Sequence, residues 1–169
     1  SLVVNRPGYS LHHQSPFTDE FIRLCKEADF SVNRMYNVQN IWKGEPVYPE
    51  VMQWDKRKLP SDFTQAPFSS KSDGWCWEYI IELTQLINRD VWVNVHQACD
   101  VKYIENLINM LNSEIPSHLN IYIENSNEVW SPTHESHGAY NHAQALALGV
   151  SFNDNYARRT LELAQLIAL

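Results

Sequence analysis

A chain of 169 residues, 44% hydrophobic and 20% charged, can bury one sizeable core and is neither disordered nor fibrous in composition. Its formal charge of −7, spread along the sequence rather than massed in a tail, argues against nucleic acid or an anionic membrane as partner and suits neutral or cationic ligands. No run approaches the roughly 18 apolar residues of a membrane span, and the first residues lack a signal-peptide profile.

Taken in chain order, Thr18, Asp19 and Glu20 open a helix in which Phe17, Phe21, Leu24, Cys25 and Ala28 recur at helical spacing, with the Cys25 thiol expected to be buried. A strand is expected over Phe30–Tyr36, ending in polar residues. The segment 37–72, rich in Pro, Trp and charge, is too long for a plain connection and reads as a functional loop or small insertion. Asp73 can cap a second helix with Trp77, Ile80, Ile81, Thr84 and Ile87 on one face. A strand over Val91–Val95 follows. Asp100 then caps a helix with Val101, Ile104, Leu107, Ile108 and Leu111 inward, and Pro116 blocks its continuation. Leu119–Glu124 is the next strand, then a histidine-rich loop, a short helix near Tyr140–Leu148 and a last helix over Asp154–Leu169.

Strands alternating with helices of this size imply an α/β fold with a parallel sheet built from right-handed crossovers. Polar residues gather just after the strands, at the edge where such folds place ligands. The last helix runs into Leu169 with no stop signal, and a complete eight-stranded barrel takes about 250 residues, so the expectation is one partial barrel over residues 1–169 of a longer chain. Three strands are clear, and SLVVN at the front is a doubtful fourth. Half a barrel would draw its missing strands from the rest of that chain or from a larger assembly.

The stretch IYIENSNEVW, Ile121 to Trp130, ends a β-favouring run in carboxamides and carboxylates that are costly to bury unless used. A carboxylate beside a carboxamide at a strand terminus suits chemistry at an anomeric centre. One carboxyl must protonate the leaving oxygen, for which its pKa has to be raised by burial or by a second carboxylate; Glu128 is placed for this, with apolar cover from Trp130. Asn127 would donate to the hydroxyl next to the anomeric carbon. Glu124, four residues earlier, is close enough to perturb Glu128 or to serve as a salt-bridged strand end.

Together with RPGY (Arg6–Tyr9), NRMYNVQN (Asn33–Asn40), WDKRKLP (Trp54–Pro60) and WEYIIELTQLINRDVWVNVHQACD (Trp77–Asp100), this stretch resembles the N-terminal half of a TIM-barrel, (β/α)8, glycoside hydrolase of the retaining clan A. It is similar to large secreted polysaccharide-associated proteins. The resemblance implies a partial (β/α)8 barrel of about four strand-helix units. It makes Glu128 the general acid/base, Asn127 a sugar contact and Arg34 the residue that orients the nucleophile. That nucleophile, a glutamate ending the seventh strand, lies outside this sequence. Two positions depart from the relatives: Val95 runs straight into His96 where a proline is usual, and Ser131 follows Trp130 where an asparagine is.

Asn94 and His96 are further substrate-binding candidates after the third barrel strand, with Asn40 in the loop after Arg34. Trp54 and Trp130, and with them Trp42 and Trp75, could serve as stacking platforms or could fill loops. No cofactor and no metal are expected: His134 and His137 miss the H-E-x-x-H spacing, and His96 with Cys99 is not a ligand set. The expected partner is a polysaccharide, and the expected location extracellular. A catalytically inactive glycan-binding or structural barrel is the alternative. An open doubly wound domain is the third reading, disfavoured because no glycine-rich phosphate loop follows any strand.

Overall fold

The computed structural model describes residues 15–36, 38–39, 52–65, 74–129 and 137–168. Within them the fold is α/β. Three parallel strands, β1 (Val32–Arg34), β2 (Asp90–Val95) and β3 (Ile121–Asn125), form a sheet in the order β1-β2-β3. Five helices accompany it among the described residues: α1 (Asp19–Glu27), α2 (Trp77–Ile87), α3 (Val101–Glu114), α4 (His137–Leu148) and α5 (Phe152–Ile167). The candidates Asn40, Trp42, Trp130 and His134, the Asp73 cap and the SLVVN strand lie outside the described residues.

Local chemistry explains most of the boundaries. The hydroxyl of Thr18 accepts from the Phe21 amide and the Asp100 carboxylate from the Tyr103 amide, each satisfying an orphan N–H in a first helical turn. Helix α2 closes on Asn88 in the left-handed region, φ 53°, and α4 on Gly149, φ 66°. Ser151 caps α5 by accepting from the Asp154 amide. Strand β1 is shorter than the expected Phe30–Tyr36, because after the Met35 amide bonds Trp92 the chain turns: the Val38 and Gln39 amides both reach back to the Met35 carbonyl.

Alternation along β2 divides the sheet. Val91, Val93 and Val95 join Ile80 and Ile87 of α2 and Ile104, Leu107 and Leu111 of α3 in one buried cluster. The indole N–H of Trp77 donates to the Tyr103 hydroxyl at 2.8 Å, tying α2 to α3 inside it. Val101 is exposed rather than inward, since the buried face of α3 begins at Tyr103. The apolar stripe of α1 is likewise shallow: Phe21 and Leu24 are exposed and Cys25 is half-buried. Cys76 and Cys99 are the buried thiols, and burial pushes them up to about 11 and about 12.

Two measurements test this arrangement. Leu107 is fully buried, so Leu107→Ala should cost about 2–5 kcal/mol in urea denaturation through the cavity it leaves. The Asp90 carboxylate accepts from the side chain and the backbone of Asn120, both at 2.9 Å, and these bonds hold its pKa below the usual value. A depressed folded pKa stabilises above the unfolded pKa and is lost as pH falls through the folded one. Asp90→Asn should therefore lower stability at neutral pH, with the difference from wild type starting to shrink only as pH falls below about 4 and disappearing once pH is below the folded pKa.

Candidate functional site

Register decides what meets at the strand ends. Arg34 is opposite Trp92, Trp92 opposite Tyr122, and Asn94 opposite Glu124, all on the sheet face turned away from the valine cluster. One oxygen, Glu124 Oε2, accepts from Arg34 Nη2 at 2.7 Å, Arg34 Nε at 3.2 Å, Trp92 Nε1 at 2.8 Å and Asn94 Nδ2 at 2.7 Å. The guanidinium also stands over the rings of Tyr36 and Trp92, 4.9 and 5.1 Å from their centroids, so cation–π attraction and the carboxylate hold it together. Arg34 Nη2 reaches on to Asn127 Oδ1 at 2.8 Å. Three consecutive strands thereby converge on one cluster of Arg34, Asn94, Glu124 and Asn127.

Asn94 is fixed from both sides. Where β1 has turned away, the Gln39 carboxamide takes its place beside β2: its Nε2 donates to the Asn94 carbonyl and its Oε1 accepts from the Asn94 amide, both at 2.9 Å. The Asn94 side chain donates also to the Ser126 carbonyl at 2.7 Å, tying β2 to the turn after β3. Ser126 and Glu128 both occupy the left-handed region, φ 61° and 44°, which costs a non-glycine residue on the order of 1–3 kcal/mol. Strain in alternate residues of one turn, with Asn127 buried between them, re-aims Glu128 out of the sheet.

Glu128 is exposed, not buried under apolar cover as the sequence suggests. It lines a cleft of about 400 Å³ with Arg34, Glu124 and Asn127. The same cleft is lined by Phe152, Asn153 and Tyr156 from the first two turns of α5, none of which was singled out in the sequence. Their signal is faint: an aromatic pair four residues apart at a helix start is usually core.

The other candidates lie elsewhere. His96 Nδ1 accepts from the Ala98 amide at 3.0 Å, closing the turn after β2. Trp54 sits in a short 3-10 turn, Trp54–Lys56, edge-on to Tyr103 at 5.2 Å with Arg57 over its face at 4.2 Å. Trp75 packs on Phe17. These two indoles fill space between loop and helix layer and do not line the cleft. Among the described residues no group of three or more His, Cys, Asp or Glu side chains is arranged to hold a metal ion, and no helix is long and apolar enough to cross a membrane.

Comparison with protein-family models, with curated proteins and with solved structures finds no match to this chain.

Glu124→Ala removes the acceptor that Arg34, Trp92 and Asn94 share. It should cost about 1–3 kcal/mol in chemical denaturation and shift the Trp92 indole N–H resonance. An indole resonance left in place would show that this bond does not form in solution.

Proposed function

We propose that the chain carries the acid/base half of a retaining glycoside hydrolase site in a (β/α)8-type architecture, acting on a polysaccharide or oligosaccharide outside the cell. The observation that supports the reading is the convergence of Arg34, Asn94, Glu124 and Asn127 from three consecutive parallel strand ends into one bonded cluster, of which Arg34, Glu124 and Asn127 line a cleft together with Glu128. Sequential parallel order β1-β2-β3 is what a barrel segment would have.

In this reaction Glu128 protonates the glycosidic oxygen as the bond to the anomeric carbon breaks. A glutamate outside this sequence attacks that carbon from the opposite face, at a carboxyl separation of about 5–5.5 Å, and forms a glycosyl ester. Glu128, now a carboxylate, takes a proton from water, and the hydroxide displaces the ester. Asn127, buried and bonded through Oδ1 to Arg34, keeps its carboxamide N–H groups for the hydroxyl beside the anomeric carbon.

A second reading has its own support. Glu128 is exposed, and the Arg34 guanidinium proposed to orient a nucleophile already bonds Glu124. A glycan-binding barrel without turnover accommodates both facts.

One variant separates the two. In a chain carrying the nucleophile, Glu128→Gln should lower kcat by about 10²–10⁴ on substrates with poor leaving groups, and by much less on activated aryl glycosides. Unchanged turnover would remove Glu128 from the acid/base role. Binding without turnover in both forms would establish the second reading.

A further inference from the structure

The proposed reaction uses the strand ends and leaves the opening turns of α5 without a role, although Phe152, Asn153 and Tyr156 line the same cleft. Phe152 and Tyr156 are four residues apart and so share one helix face. That face is set by directional bonds as well as by the packing of Leu163 in the core. Asn155, fully buried, donates through Nδ2 to Asn141 Oδ1 at 2.7 Å and to the Asn141 carbonyl at 3.2 Å, while Asn141 Nδ2 donates to the Phe152 carbonyl at 3.0 Å. One turn on, Thr160 Oγ1 accepts from Asn125 Nδ2 at 2.8 Å, and Arg159 Nη2 donates to the Cys99 carbonyl at 3.0 Å. The helix cannot rotate about its axis without breaking these bonds.

Both rings are held in place by neighbours. The Tyr156 hydroxyl lies 3.5 Å from the Asn125 carbonyl, two residues before Asn127, while the residue stays 36% exposed. Phe152 is backed by the His142 ring at 4.7 Å. A rigid, partly exposed aromatic pair beside a polar cluster suits the apolar face of a pyranose. Charge narrows the class further. Among the described lining residues one cation, Arg34, faces two carboxylates, Glu124 and Glu128, and Glu124 already pairs with that cation. The carboxylate of an acidic sugar would find no cation among the described lining residues except Arg34, which Glu124 already engages.

We infer that Tyr156, with Phe152, forms the stacking platform of the cleft, and that the ligand is a neutral pyranoside rather than a uronic acid. The inference rests on the carbohydrate reading and has its own points of failure. The probes are cello-, laminari-, manno- and xylo-oligosaccharides, with oligogalacturonate as the acidic comparison, titrated by calorimetry and by NMR into the wild-type chain, Tyr156→Leu and Tyr156→Phe. Wild type should bind at least one neutral oligosaccharide and bind oligogalacturonate more weakly. Tyr156→Leu, which keeps bulk against α5 but has no π face, should weaken binding about tenfold, and Tyr156→Phe should restore it. Circular dichroism and melting temperature serve to show that each variant is folded.

Wild-type affinity in Tyr156→Leu would overturn the platform and leave the carbohydrate reading standing. Equal loss in Tyr156→Phe would overturn stacking in favour of the hydroxyl. Tighter binding of oligogalacturonate would overturn the neutral-sugar assignment. No binding of any probe by wild type would overturn this inference through the reading beneath it, which a loss at Tyr156 alone would not do.

Discussion

Pairing of Asn94 with Glu124 across β2 and β3 is the constraint on which the strand-end arrangement depends. A slip of one residue would exchange the two faces of β3 and send the Glu124 carboxylate toward the helix layer, where nothing could solvate it. Correct register instead collects four N–H donors around one carboxylate oxygen and sets Arg34 against Asn127. The valine face favours the same register, because Val91, Val93 and Val95 are buried only when Trp92 and Asn94 face the other way. Core and cleft are two outcomes of one alignment.

Much of this could be read along the chain, and the rest could not, for physical reasons. Capping chemistry is local, so Thr18 and Asp100 marked helix starts, and Pro116 marked a stop, without knowledge of the fold. The three strands are legible as β-favouring runs, though β1 is shorter than its composition suggests, since its end is set by a turn. Arg34, Asn94, Glu124 and Asn127 were noticed because polar residues at strand ends are conspicuous. That Glu124 would be the common acceptor of Arg34, Trp92 and Asn94 was not legible, because it depends on register between segments 30 to 90 residues apart. Exposure of Glu128 follows from the φ values of Ser126 and Glu128, and no residue in SNEV announces a left-handed backbone. Phe152 and Tyr156 do not stand out in the sequence, because the face they occupy is fixed in part by Asn155 and Asn141, whose pairing across α4 and α5 has no sequence period.

Buried and half-buried carboxamides recur among the described residues as positioning devices. Gln39 stands in for a strand beside Asn94, Asn125 ties β3 to Thr160, and Asn155 with Asn141 sets α5. Each satisfies groups that would otherwise be unpaired in the interior, and each acts between elements rather than within one. Their number makes sense near a cleft: apolar packing tolerates small rotations that a pair of directional bonds does not.

Sharing one acceptor among several donors also shapes how the site responds to change. Since Arg34, Trp92 and Asn94 compete for the same lone pairs on Glu124 Oε2, removal of any one donor lets the others tighten. Single replacements among them would then read as mild, and pairs as disproportionately severe. Such redundancy lets individual positions around Glu124 drift in sequence while the cluster persists, so its ancestry would be easier to trace through the acceptor than through any of its donors.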